Sequence, residues 1–192
     1  GIFKTTPVSQ YTENGQAAQW PKGSYSTDLY TSKLIQFIEA DRKNNRPFFA
    51  FAAYTSPHWP LQVDESHWKK YEGRYDEGYE KLRSDRFKSL KKAGMIPEGS
   101  LLPPLHPRVR PWDSLSQAEQ RQEVRKMELY AGMVDNMDVN IGRILDYLEE
   151  IGEADNTLVI FLADNGADPN LTPFFPGWRP WYETHFPLTY MS

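Results

Sequence analysis

Two short apolar runs constrain this chain more than anything else in it. Residues 48–54 read FFAFAAY and residues 157–164 read TLVIFLAD. Neither alternates polar with apolar residues, so neither suits a strand with one face in water. Runs of this length and composition suit strands buried on both faces, the kind that parallel sheets contain under their helices. The second run also follows the strongest helix signal in the chain. Ser116-Gln-Ala-Glu119 forms a capping box, in which hydroxyl and carboxylate each satisfy a free backbone amide. Behind it Met127, Tyr130, Val134, Met137, Ile141, Leu145 and Leu148 recur at spacings of three and four. They predict one apolar stripe packed against a core, on a helix that Gly152 stops. Strand, long helix and strand together point to an α/β fold, a mostly parallel sheet flanked by helices.

The rest of the chain is consistent with a single domain. At 192 residues there is room for one proper core and not for two. Residues 1–25 are polar and rich in turn formers, and they read as a loop region. Tyr30, Leu34, Phe37 and Ile38 share one face of a helix predicted from residue 26 to about 42. A short helix is expected over 65–71 and a charged one over 77–93, closed by Gly94 in the left-handed cap position. Five prolines within 95–113 exclude regular helix or central strand and predict an excursion over the surface. These segments and the strands make up an α/β core over 26–167. Residues 168–192 form an aromatic, proline-rich tail.

Charge and composition exclude several partners. The formal net charge is −4, and basic residues are interleaved with acidic ones, so no patch suits a nucleic-acid backbone. No apolar run approaches the roughly 20 residues that cross a bilayer, and no membrane partner is expected. The opening residues lack the basic-then-apolar layout of a signal peptide, and the compartment is left open. With no cysteine there are no disulfides, thiolate metal sites or cysteine nucleophiles in this sequence.

Both apolar runs end in residues that carry chemistry. Ser56-Pro-His58-Trp-Pro60 follows the first, and Asp164-Asn165-Gly166 follows the second. In open parallel sheets, ligands gather outside the carboxyl ends of strands. Asp164 and Asn165 offer oxygens that suit a hard divalent cation such as Ca²⁺, although two donors fall well short of the roughly six to eight that calcium takes. His58 could donate a proton or hold an anion. Taken alone, Asp-Asn-Gly at a strand end is most often simply a tight reversal, and His58 between prolines reads first as a packed loop residue. His67 and His106 stand apart on exposed-looking segments, and His185 lies in the tail. No phosphate-cradling glycine loop, H-E-x-x-H or G-x-S-x-G motif is present.

The stretches RPFFAFAAYTSPHWPLQ and YAGMVDNMDVNIGRILDYLEEIGEADNTLVIFLADNGAD, in that order, resemble the sulfatase family. The likeness is to the bacterial and fungal arylsulfatases of the alkaline-phosphatase-like superfamily, and it runs from about residue 11 to 167. It implies hydrolysis of small-molecule sulfate esters by a formylglycine made from cysteine or serine, with a divalent cation, usually Ca²⁺, holding the sulfate. It implies that Asp164 and Asn165 are metal ligands and that Asp164 also assists the nucleophile. It implies that His58 contacts the sulfate and the leaving oxygen, on a loop that its flanking prolines stiffen.

The family's nucleophile motif, C/S-x-P-x-R, is missing from this sequence; Thr5-Thr-Pro7-Val-Ser9 is the nearest stretch. The opening aspartate pair and the Lys-x-His segment also lack counterparts. The expectation is therefore an incomplete, internal part of a sulfatase catalytic domain, inactive by itself. Two further readings stay open: a non-catalytic remnant that binds anions or proteins, and a phosphatase or phosphonate-ester hydrolase of the same superfamily. Unpaired sheet edges, or the tail residues Phe174, Phe175, Trp178, Trp181, Tyr182 and Phe186, would favour self-association.

Overall fold

In the computed structural model, residues 11–44 and 46–166 are described. The longest element is the helix α4, Gln117–Glu150, and the others assemble on it. Its capping box is formed as the sequence requires, with Ser116 accepting from the Glu119 amide and Glu119 from the Ser116 amide. Its end is also as expected. Gly152 takes a φ of 75°, and the amides of Gly152 and Glu153 bond back to the carbonyls of Glu149 and Leu148. That paired closure is the Schellman motif, which needs a left-handed residue. Gly94 ends α3, Gly78–Lys92, in the same way.

Before α4 come α1, Ser26–Asp41, and the single turn α2, Glu65–Trp68, capped by the Asp64 carboxylate. Both pack on α4. The core they enclose consists of Tyr25, Leu61, Val63, Leu129 and Met133, with Trp68 laid against it. The Arg125 guanidinium covers the outer face of that indole, 3.8 Å from the ring centroid. Residues 95–113 wander without strand or α-helix, broken only by a 3₁₀ turn at Trp112–Ser114, as their prolines dictate. No helix among the described residues is long and apolar enough to cross a membrane.

Three expectations need correction. Residues 11–18, expected as loop, form a hairpin of β1, Tyr11–Glu13, and β2, Gln16–Ala18. Its turn is Asn14-Gly15, both at positive φ (52° and 74°), the arrangement that two-residue hairpins prefer. The buried face of α4 is also rotated from the predicted stripe. Leu129, Gly132, Met133, Asn136 and Asn140 are inside together with Leu148 of the predicted stripe, whereas Tyr130, Val134 and Leu145 of that stripe are exposed. The reason is that α1 and α2 meet α4 through a polar network, which apolar periodicity cannot register. Finally, among the described residues the β1–β2 hairpin is the whole of the sheet structure. Residues 48–54 and 157–164 are extended but join no ladder, and Phe49 is 93% and Leu158 85% exposed. The mostly parallel sheet is therefore absent from these residues. A doubly apolar strand is stable only with neighbours on both edges and layers on both faces, and none is supplied here.

At Gly132 α4 comes up against backbone, and a Cβ there would lie 2.8 Å from the Trp68 Cα and Cβ and 2.9 Å from its amide nitrogen. Backbone cannot yield as a side-chain tip does, so Gly132→Ala must push α2 away and is expected to cost about 1–3 kcal/mol. Gly142, on the same helix, has nothing within 4 Å of such a Cβ. There the same change removes glycine's conformational entropy and should add roughly 0.5–1 kcal/mol. Denaturant titration of the intact protein carrying each change checks the opposed signs.

Hydrogen bonds from the Ser116 amide and hydroxyl, and then the Arg110 guanidinium, lower the Glu119 carboxyl from its ordinary 4.5 to about 2. A carboxylate depressed by folding stabilises above its unfolded value and stops doing so as pH falls through the folded one. A glutamine side chain in its place would keep the capping box without the charge. The gap in melting temperature between the intact protein and its Glu119→Gln variant should be full at neutral pH. It should close between pH 4.5 and about 2.

Candidate functional site

The loop that carries His58 is rigid and firmly anchored. Thr55 to His58 close a turn, with the His58 amide donating to the Thr55 carbonyl at 2.9 Å. His58 itself is exposed, and its Nδ1 lies 2.6 Å from the carbonyl oxygen of Trp59. A carbonyl only accepts, so Nδ1 carries the proton and donates it. Nε2 is left to meet a ligand, as an acceptor in the neutral ring and as a donor in the imidazolium. The Trp59 indole packs beside the imidazole, ring centroids 5.1 Å apart.

The ends of the loop are buried. Ser56 donates from its hydroxyl to the Met133 carbonyl at 3.3 Å, which ties the near end to α4. Leu61, Gln62 and Val63 are buried at the far end. The Tyr25 hydroxyl donates to the Gln62 carbonyl at 2.7 Å, tying this end to the start of α1. Just before the loop, the Tyr54 and Thr31 hydroxyls share a hydrogen bond of 2.6 Å. Burial pushes the Tyr25 phenol well above its ordinary range, so it remains protonated and a donor.

Asp164 and Asn165 follow the second extended run and are exposed. Asp164 Oδ1 accepts from the Asn165 amide at 3.0 Å, and the Asn165 side-chain nitrogen donates to the Gly166 carbonyl at 2.6 Å. With its amide nitrogen engaged, Asn165 presents its side-chain oxygen, and Asp164 keeps a second carboxylate oxygen. Those donors fit a hard cation in kind. In number they do not complete a shell, and among the described residues no group of three or more His, Cys, Asp or Glu could hold a metal. No hydrogen bond among the described residues joins His58 to Asp164 or Asn165. The nearest stretch to the nucleophile motif, residues 5–9, and the tail with His185 lie outside the described residues.

A polar cluster that the sequence reading missed lies where α1, α2 and α4 meet. Asp28 Oδ1 accepts from the side-chain amides of Asn136 at 2.9 Å and Asn140 at 2.7 Å. Arg143 reaches Asn140 Oδ1 at 2.7 Å and the Ser32 hydroxyl at 2.9 Å. His67, far from standing apart, sets Nδ1 2.7 Å from Asp135 and Nε2 3.3 Å from the Asn136 amide nitrogen. Burial by itself would raise the Asp135 carboxyl; hydrogen bonds from Lys70 and His67 overcome that and hold it below the usual value. His106 is exposed and accepts from the Arg108 amide. An open hollow of about 460 Å³ beside this cluster is lined by Ser24, Asp28, Asp64 and His67, and by none of His58, Asp164 or Asn165. The signal for the cluster was present in the sequence as Gly132, Asn136 and Asn140, small and polar residues at intervals of four on one helix face.

The profile of the Sulfatase family matches residues 2–188. Among curated proteins, the chain is 42% identical over 156 residues to an uncharacterized sulfatase of Schizosaccharomyces pombe, covering 81% of this chain and 28% of that protein. It is 36% identical over 159 residues to an arylsulfatase of Klebsiella aerogenes, covering 83% and 34%. With an N-acetylglucosamine-6-O-sulfatase of Bacteroides thetaiotaomicron the identity is 28%, over 84% and 36%. The chain thus spans about a third of the length of the relatives it matches. A profile match over nearly all of the sequence, together with relatives of this identity, establishes that the chain belongs to the sulfatase family and so to the alkaline-phosphatase-like α/β class.

Proposed function

We propose that the protein to which this chain belongs hydrolyses sulfate esters as an arylsulfatase, and that this chain supplies part of its active site. The observation that carries the reading is His58. It stands exposed on an anchored loop, with Nδ1 committed to a carbonyl and Nε2 free for substrate. The likeness to a relative named as an arylsulfatase supports the aryl ester as the substrate class.

In this reading His58 Nε2 hydrogen-bonds the sulfate group and gives a proton to the departing phenolic oxygen as the sulfur–oxygen bond breaks. The Trp59 carbonyl steadies the ring by accepting from Nδ1 and disperses charge on the imidazolium before transfer. Asp164 and Asn165 offer oxygens to a divalent cation, calcium for choice, with the remaining ligands coming from outside this sequence. When bound, the cation supplies charge neutralisation at the sulfate oxygens, and a formylglycine supplies the nucleophilic oxygen. That residue has no motif in this sequence, so the 192-residue chain by itself is expected to show no turnover.

The test uses the intact protein and 4-nitrophenyl sulfate. Replacing a positioned acid typically costs 10²–10⁴-fold, so His58→Ala is expected to lower kcat by about a hundredfold or more. Asp164→Asn and Asn165→Ala should raise the calcium concentration needed for half-maximal activity. A His58→Ala enzyme at full rate, or faster turnover of 4-nitrophenyl phosphate than of the sulfate by the unaltered protein, would overturn the proposal. So would metal-dependent sulfate hydrolysis by the isolated chain.

A further inference from the structure

Among the described residues, the hydrogen bond and the ring contact of the His58 imidazole both go to Trp59 on its own loop, so what aims it must act on the loop as a body. Residues 55–60 are stiff internally, through the turn at His58, the ring-to-carbonyl bond at Trp59 and two prolines. A stiff body is aimed by its attachments, and each end of this one is tied by a buried hydroxyl. The Tyr25 hydroxyl donates to the Gln62 carbonyl at the far end. At the near end the Ser56 hydroxyl donates to the Met133 carbonyl at 3.3 Å. Tyr25, Ser56 and Gln62 are each at most 6% exposed, so water cannot replace these bonds.

We infer that Tyr25 is a positioning residue for the reaction: its hydroxyl holds the far end of the loop 55–62 at the Gln62 carbonyl and so sets where His58 Nε2 stands relative to the leaving oxygen. Tyr25 lies 33 residues before His58 and just before α1, whose start it does not cap with its side chain. Its hydroxyl is spent on the loop instead of on the helix. The ring belongs to the core, with Leu61, Val63, Leu129 and Met133, so packing and aiming are separable in this residue. Tyr25→Phe keeps the ring and removes the tie to Gln62.

The inference rests on the proposed role of His58 as proton donor, and the experiment separates the two. In the intact protein, aryl sulfates whose phenols span a range of acidity are compared. An acid catalyst matters most for the poorest leaving groups, so the loss in His58→Ala should grow as the phenol becomes less acidic. Tyr25→Phe should show the same trend at smaller size, about tenfold in kcat for the poorest leaving group, since small misplacements carry such costs. Its KM should stay within about twofold, as expected when transition-state contacts alone are weakened. Added to His58→Ala, it should cost nothing more, because it acts through that ring. Tyr147→Phe, which removes a hydroxyl bonded to Glu39 on the surface, should leave the trend unchanged.

A flat dependence in His58→Ala would overturn the role of His58 itself. A steep dependence there with a flat one in Tyr25→Phe, or full additivity in the double variant, would overturn the positioning role alone. Should Tyr25→Phe not yield folded protein, Ser56→Ala removes the hydroxyl that ties the near end of the same loop to Met133 and is read by the same criteria.

Discussion

Trp68 can lie against α4 only because residue 132 has no Cβ, and much else is keyed to that approach. Met133, the next residue, is fully buried, and its carbonyl receives the Ser56 hydroxyl at the root of the His58 loop. One turn further on, Asn136 and Asn140 face Asp28 and fasten α1. A displacement of α2 by the width of a methyl group would therefore reach the core, the polar cluster and the loop together. Close-packed interiors pass such strain on; they do not absorb it.

The joint between the helices is polar where a sequence reading expects it to be oily. Asn136, Asn140 and Glu128 are all nearly inaccessible. Burying such groups is tolerable only when each is bonded, and here each is. Glu128 accepts from the Gly73 amide at 3.0 Å and pairs with Arg125, while the two asparagines share the Asp28 carboxylate. Directional bonds of this kind fix one rotation of α4 against its neighbours, which a smooth apolar seam would not. Tyr130, Val134 and Leu145 of the α4 stripe and much of the two extended runs stay in contact with solvent, while Leu148 is buried. Large, grouped apolar exposure of that sort is unusual for a folded surface.

Much of the local structure was legible from single residues and short motifs. Ser116 with Glu119 announced the start of α4, and Gly94 and Gly152 announced helix ends that adopt the left-handed closure they permit. The proline content of 95–113 excluded regular structure there, and regular structure is nearly absent. Asn14-Gly15 carried an equally local hairpin signal, since both residues tolerate positive φ, but its flanking strands are three residues long and carry no alternation to draw the eye. Family membership was also legible, because the two long motifs around His58 and Asp164 resemble the family's and follow one another in the same order.

What the sequence alone determined, then, were features set by a residue and its near neighbours: caps, turns, breaks, the chemistry of His58, Asp164 and Asn165, and the apolar character of two runs. Which face of α4 is inside was decided only in three dimensions. The partners that decide it, Asp28 and Trp68, stand far away in the chain and bond to polar or vanishingly small side chains that no hydrophobic period reports. The same holds for Tyr25, an ordinary aromatic residue in sequence whose hydroxyl acquires meaning from a carbonyl 37 positions later. The two apolar runs show the converse. Their sequence states that they suit a sheet, but a ladder is a property of neighbouring strands, and a strand cannot supply its own neighbours.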